Sequence, residues 1–118
     1  MTRQRIAFGL TCLFSASLIL SAIMKLVGSS EVMEGFAKMG LADWRIIIAL
    51  GELSATALFF LPQTKNFGTM VLSGYLGGAI MAHMSHGQDF SAPAIFLVLI
   101  WFTAGLRQPD LYGFKTGS

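Results

Sequence analysis

The sequence contains few charges, few prolines and a single cysteine. Charged residues make up 12% of its 118 residues, about half the share of an average globular protein. This low charge comes with ten phenylalanines, which excludes a disordered chain. The lone Cys12 excludes an internal disulfide framework, and no CxxC pattern indicates zinc. Because the net charge is only +2 and no run of Lys or Arg exists, nucleic acid is not expected as a partner.

Apolar residues fill the chain instead. They make up 54% of the sequence, and the mean hydropathy is +0.67. A chain of this length forms one domain at most, and most of it cannot face water. The composition therefore predicts a single integral membrane domain over residues 1–118, surrounded by the lipid bilayer.

Four apolar segments resemble membrane-spanning helices. A helical span needs about 20 apolar residues, and long apolar runs without period-2 alternation disfavour strands. A cleaved signal peptide is the alternative for the first segment, but its apolar run is long and no small-residue cleavage site follows. The expected fold class is all-α, an integral membrane four-helix bundle. The predicted spans are residues 6–27, 46–61, 67–84 and 90–106.

The segment between the first two spans differs from the short turns elsewhere. Val32, Met33, Phe36 and Met39 recur at helical spacing between charged residues. This pattern predicts a short amphipathic helix at the membrane surface, ended by Gly40. It would form a lid over the outer opening of the bundle. An ordered loop capping the bundle is an equal alternative.

The basic residues predict an orientation, since cytoplasmic loops carry an excess of Lys and Arg. With the N-terminus in the cytoplasm, five basic residues lie inside and three outside. Both termini are therefore predicted to be cytoplasmic. The inner residues are Arg3, Arg5, Lys65, Arg107 and Lys115, and the outer ones are Lys25, Lys38 and Arg45.

Three ionisable side chains fall at one depth of the predicted bundle. Glu52 lies about 9 Å into the second span at 1.5 Å per residue, and Lys25 and His83 lie near the outer ends of the first and third spans. Charged groups in membrane helices usually face a bundle interior or a polar cavity. The sequence therefore predicts a polar cluster in the outer third of the bundle.

Helical spacing adds two polar residues to this cluster. Tyr75 shares a face of the third span with His83, and Thr56 shares a face of the second span with Glu52. The candidates for a ligand-binding site or polar core are Lys25, Glu52, His83, Tyr75 and Thr56.

Gly74 and Gly78 lie beside that face of the third span. Small residues at this spacing let a neighbouring helix backbone approach closely. Packing alone is the plainest interpretation of the pair.

The pair of Lys25 and Glu52 has two interpretations. A buried carboxylate is costly when ionised and unpaired, so Lys25 could neutralise it in an ion pair that only fixes helix register. Alternatively, the acid transfers protons or holds the polar head of a ligand, which is the default hypothesis for an intramembrane acid. The nearby His83, His86 and Asp89 are too few ligands to indicate a metal, and none is expected.

Several motifs follow one another in a recognisable order. The first span closes with MKLVG, and the second, WRIIIALGELSATALFFLP, opens with Trp and contains a GE pair. A glycine-rich span, FGTMVLSGYLGGAIMAHMSHG, and a last segment, APAIFLVLIWFTAGLRQPDLY, come next. In this order and spacing the chain resembles the DoxX-like family of small membrane proteins, from about Gly9 to Leu106.

The resemblance implies four transmembrane helices in a bacterial inner membrane and no single activity. The family's namesake resembles a subunit of a thiosulfate:quinone oxidoreductase, and other relatives are linked with redox complexes or with the assembly of membrane proteins. Lys25, Glu52 and His83 are the residues that carry over.

Three functions follow as hypotheses. The first is an accessory or assembly subunit that binds a partner, a lipid or a quinone, with Glu52 as the polar anchor. The second is a membrane oxidoreductase subunit in which Glu52 and His83 relay protons to a quinone. The third is a small transporter component, although neither inverted repeats nor broken helices are visible. The expected partner is another membrane protein or a second copy of this chain.

Overall fold

The computed structural model describes residues 2–112, with side chains up to Asp110. Lys115, which the charge count places in the cytoplasm, lies outside the described residues. Within this range the chain is helical and contains no strand, so the all-α prediction is confirmed. The five α-helices are α1 Thr2–Val27, α2 Ser30–Lys38, α3 Arg45–Phe60, α4 Lys65–Ser85 and α5 Ser91–Arg107. Short 3₁₀ turns occupy Ala42–Trp44, Pro62–Thr64 and Pro109–Tyr112.

The long helices lie close to the segments predicted as spans, and α2 is a fifth helix between the first two. Helix α1 begins at Thr2 rather than Ile6, because Arg3 and Arg5 continue the helix beyond its apolar run. Helix α2 is capped by the Ser29 hydroxyl, which accepts from the Val32 amide. The chain then turns at Gly40, whose φ of 70° suits glycine.

Length and apolar composition single out α1 as a helix able to cross a membrane. The segments Ala42–Phe60 and Pro62–Ser85 meet the same test only as a pair, and the chain bends by 98° at the break between them. Helix α5 is apolar but shorter. These criteria give one crossing helix among the described residues, or two if the bent pair counts as a single span. The four separate spans stay a prediction.

The four long helices pack side by side in a ring. Helix α1 contacts α3 and α5, and α4 contacts the same two helices from the other side. Their shared core is apolar, and Phe14 of α1 meets Phe96 of α5 edge to face with ring centroids 6.0 Å apart. The fully buried members of this core include Ala55, Phe59, Leu72 and Ile100, and Phe96 packs against them partly buried.

Three arginines join the ends of neighbouring helices. Arg45 donates to the last turn of α1, Arg107 to the last turn of α3, and Arg3 to the last turn of α5. Such carbonyl groups lack partners within their own helix, so the guanidinium groups satisfy them. The accepting carbonyls belong to Lys25, Leu26, Phe59, Phe60 and Leu106. The contacts also show that the carboxyl end of α1 meets the amino end of α3.

A close helix approach occurs at Gly68, not at the glycine pair expected from the sequence. A Cβ built on Gly68 would lie 2.2 Å from the backbone nitrogen of Phe59, so α4 touches α3 directly beside the connecting turn. A Cβ on Gly74 or Gly78 would meet no atom within 4 Å. The expectation of close approach at that pair is wrong because this face of α4 borders open space.

Candidate functional site

Glu52 lies in the middle of α3 and is the centre of the candidate site. Its side chain is 2% exposed, yet it has two polar partners from two other helices. The Lys25 ammonium, in the last turn of α1, lies 2.8 Å from Oε1. The Tyr75 hydroxyl of α4 donates to the same oxygen at 3.1 Å. The buried carboxylate is therefore paired and hydrogen-bonded, as burial requires.

Lys25 is held in place by more than the ion pair. Its ammonium also donates to the Ser21 hydroxyl, one helical turn earlier, at 2.7 Å. The nitrogen lies 6.0 Å from the centroid of the Tyr75 ring, within the range of a cation–π contact. Ser21 and Glu52 use two of the three N–H donors of the ammonium. The third donor can serve an acceptor on a ligand.

These side chains form the polar part of a cavity of about 670 Å³. All five helices contribute to its wall. Helix α2 covers it with Val32 and Phe36, joined by Met39 just after the helix, and Phe36 is only 6% exposed. The remaining wall is mainly apolar and includes Leu18, Ile48, Leu76, Pro93 and Phe96. The cavity thus joins one charged, hydrogen-bonded cluster to a larger apolar space.

His83 lies on the same cavity wall but is not bonded to the ion pair. Its Nδ1 lies 2.6 Å from the carbonyl oxygen of Ala79. An atom facing a carbonyl at this distance must carry the proton, so we assign the Nδ1–H tautomer. This leaves Nε2 as an acceptor in the neutral ring. His83 can therefore exchange a proton with a molecule in the cavity, but it does not contact Glu52.

Thr56, the fifth candidate from the sequence, does not line the cavity. Its hydroxyl donates to the backbone carbonyl of Glu52 at 2.7 Å, and its side chain is completely buried. Buried threonines of α1, α4 and α5 bond in the same way to the carbonyl four residues earlier. Thr56 belongs to this structural pattern, which the sequence spacing alone could not separate from a site.

No described group of three His, Cys, Asp or Glu side chains is placed to hold a metal ion. After α4, His86 Nδ1 faces the carbonyl of Ala82 at 2.9 Å. The Asp89 carboxylate accepts bonds from the hydroxyl and the amide of Ser91. These two bonds stabilise the ionised form and lower the pKa of Asp89.

Two further parts of the site agree with the sequence pattern. Ser21 shares a helix face with Lys25 at i, i+4 spacing, and it holds the ammonium. The amphipathic segment predicted as a lid is helix α2, and its Phe36 closes the cavity. Sequence reasoning missed that the face around Gly74 is part of the cavity wall, because this depends on the rotation of α4, which a single sequence does not contain.

The comparison with known proteins is informative at the level of the family. The sequence matches the DoxX-like family over residues 9–103 of the 118. The chain belongs to the DoxX-like family. Membership of a DoxX-like family indicates a membrane protein, in agreement with the composition. The DoxX-like match includes Lys25, Glu52, Tyr75 and His83. No curated protein and no solved structure is significantly similar to the chain.

Proposed function

We propose that this DoxX-like protein is an accessory or assembly subunit of the membrane that holds a lipid or a quinone in its cavity. The observation that carries the proposal is the position of the Glu52–Lys25–Tyr75 cluster on the wall of an otherwise apolar cavity. A molecule with a small polar head and an apolar body matches both parts. The cavity volume, about 670 Å³, is in the range of small-molecule sites.

Charge balance favours an uncharged head group. The carboxylate of Glu52 is already neutralised by Lys25 at 2.8 Å, so an anionic or cationic ligand would add an unpaired charge beside apolar walls. A carbonyl or hydroxyl oxygen adds no charge and can accept the third N–H of the lysine. Quinones and neutral lipids both carry such an oxygen.

The proposed setting is a bacterial inner membrane, with α1, α3, α4 and α5 as four spans and both termini in the cytoplasm. Large apolar side chains on the outside of all four helices support it, because lipid is the solvent that such a surface prefers. Examples are Phe8, Ile47, Met70 and Val98, each at least 60% exposed. Helix α2, with its charged outer face, lies at the outer surface and covers the cavity.

A second function is favoured by His83. Its ring is on the wall of the same cavity and keeps Nε2 free of the helix backbone. If the ligand is a quinone, His83 and Glu52 are two groups that can exchange protons with its oxygens. The protein would then be an oxidoreductase subunit in which the electrons come from a partner protein.

The test is ligand retention in the protein purified from its own membranes in mild detergent. Native mass spectrometry should detect a bound lipid or quinone in the wild type and a loss of this species in Glu52→Gln. The matched control is Glu34→Gln, which removes an exposed carboxylate that pairs with Lys38 on α2. A bound quinone supports the oxidoreductase subunit, and a lipid alone supports the accessory role. If Glu52→Gln keeps wild-type stability and every ligand and partner, the proposed function is wrong.

A further inference from the structure

Basic side chains from three helices meet at the end of the bundle opposite α2. Arg3, in the first turn of α1, donates to the carbonyl of Leu106 at the end of α5. Arg107, the last residue of α5, reaches across the ring to α3, where it donates to the carbonyls of Phe59 and Phe60. Its guanidinium also lies 5.1 Å from the centroid of the Phe59 ring. Both guanidinium groups are therefore held beside the end of α5.

A third cation, Lys65, begins α4 at the same end. It lies two helical turns before the buried Leu72, so both residues share the inward face of α4. The next residue, Asn66, donates to the side chain of Gln108 at 2.9 Å. This bond ties the start of α4 to the end of α5, next to Arg107.

Carboxylates do not neutralise these three cations. Within the described residues, ion pairs involve Lys25 and Lys38, and none involves Arg3, Lys65 or Arg107. Most acidic side chains lie at the other end of the molecule, and Asp110 is the acid that follows α5. The acids near α2 are Glu31, Glu34, Asp43 and Asp89. The basic end therefore attracts an anion from outside the chain.

We propose that this end of the bundle binds the head group of an anionic phospholipid, with Arg3, Lys65 and Arg107 around its phosphate. A guanidinium group carries five N–H donors, so both arginines keep donors after serving the helix carbonyls, and such donors fit phosphate oxygens in pairs. Basic pockets between membrane helices on the cytoplasmic side bind phospholipid head groups. The ammonium of a zwitterionic head group would add a positive charge beside three others, which favours an anionic lipid.

The surface beside the cations fits a lipid better than an acidic protein segment. Ile6, Phe67 and Phe102 belong to the same three helices, lie within two turns of the cations and are at least half exposed. Acyl chains attached to the bound head group can lie against these side chains, since lipid is the solvent that they prefer.

Arg5 provides a matched control. It is an exposed cation at the same end of α1, but its position, two residues from Arg3, places it about 200° further around the helix. Loss of either arginine removes one positive charge from the basic end. Only Arg3 contacts α5, so the pair separates a defined site from a general attraction of the leaflet.

The experiment titrates the purified full chain in mild detergent with phosphatidylglycerol and phosphatidylethanolamine of identical acyl chains. Native mass spectrometry measures the two affinities. The wild type should bind phosphatidylglycerol about tenfold more tightly or better. Arg3→Gln and Lys65→Gln should each weaken this binding about fivefold, and Arg5→Gln should remain within about twofold of the wild type. No variant should change the affinity for phosphatidylethanolamine.

Equal affinities of the wild type for the two lipids would overturn the inference, as would equal losses in folded Arg3→Gln and Arg5→Gln. Glu52→Gln changes the cavity and should bind phosphatidylglycerol as the wild type does. If Glu52→Gln loses this lipid while Arg3→Gln keeps it, the lipid occupies the cavity, so this inference falls and the proposed function stands. Should Arg3→Gln not fold, Arg3→Lys must keep the preference for phosphatidylglycerol and Lys65→Gln must weaken it.

Discussion

The Lys25 ammonium lies 2.8 Å from Glu52 Oε1, although the two residues are 27 positions apart in the chain. This contact joins the last turn of α1 to the middle of α3. Lysine is 21% exposed whereas glutamate is 2% exposed. Removal of either partner should therefore have a different effect on stability. Without Lys25, the charge of Glu52 is left with little access to water. Without Glu52, the ammonium of Lys25 can still reach water.

The substitution Lys25→Met should destabilise the protein by about 3 kcal/mol, since an unpaired buried carboxylate remains. Adding Glu52→Gln should recover most of this loss, because the double variant contains no buried charge. Thermal unfolding in detergent at neutral pH measures both effects. Lys38→Met, which breaks the exposed pair with Glu34, should change stability little. A Lys25→Met protein as stable as the wild type would show that the ion pair does not contribute to the stability of the fold.

The substitution Tyr75→Phe removes one hydrogen bond to the carboxylate and keeps the ring beside Lys25. We expect a loss of about 1.5–3 kcal/mol in unfolding free energy, the usual value for a bond to a charged group, together with weaker ligand retention. Thr56→Val is the comparison, since Thr56 bonds only within α3 and should leave ligand retention unchanged. The checks are thermal unfolding and native mass spectrometry. Equal ligand loss in the two variants would contradict the assignment of Tyr75 to the ligand site and of Thr56 to the helix structure.

The substitution Gly68→Ala should be the most damaging change of glycine to alanine in α4. Its Cβ would overlap the backbone of Phe59 at 2.2 Å, and backbone cannot move aside as a side chain tip does. The expected destabilisation is about 3 kcal/mol, against a gain in stability for Gly77→Ala. The measurement is the melting temperature of the two variants in the same detergent. Similar values would contradict the close contact between Gly68 and the backbone of Phe59.

The proposed membrane topology predicts opposite labelling of the two ends of the bundle. On a Cys12→Ser background, cysteine at position 35 of α2 should react with a membrane-impermeant maleimide added to intact spheroplasts. Cysteine at position 63, in the turn after α3, should react only after the membrane is opened. Labelling of position 63 from outside would reverse the orientation, and labelling of both positions from one side would exclude the four spans.

Apolar length and helical spacing predicted the positions of the long helices and the meeting of Lys25 with Glu52. An acid inside an apolar helix has few stable surroundings, so the chemistry of Glu52 alone restricts where it can lie. The contacts of the arginines could not be predicted in this way. From the sequence, the only information taken from three arginines was their charge, which was used to predict the orientation in the membrane. In the structure, each of them donates to carbonyl groups at the end of another helix, and they are Arg3, Arg45 and Arg107. Their partners come from the three-dimensional arrangement of helix ends, which periodicity does not describe.

The glycines show a similar limit. The spacing of Gly74 and Gly78 is that of a helix-packing motif, and Gly68 has no motif at all. The structure reverses these roles, since α3 touches α4 at Gly68, whereas Gly74 and Gly78 are exposed beside the cavity. Which face of a helix meets its neighbour depends on its rotation about its own axis, which the spacing of two glycines does not determine.

Helix length has a consequence for the lipid around the protein. Helices α3 and α5 contain 16 and 17 residues, and at 1.5 Å per residue they extend about 24 and 26 Å. The hydrocarbon core of a typical bilayer is about 30 Å thick. In the proposed membrane position, this hydrophobic mismatch would thin the bilayer locally and favour lipids with shorter acyl chains.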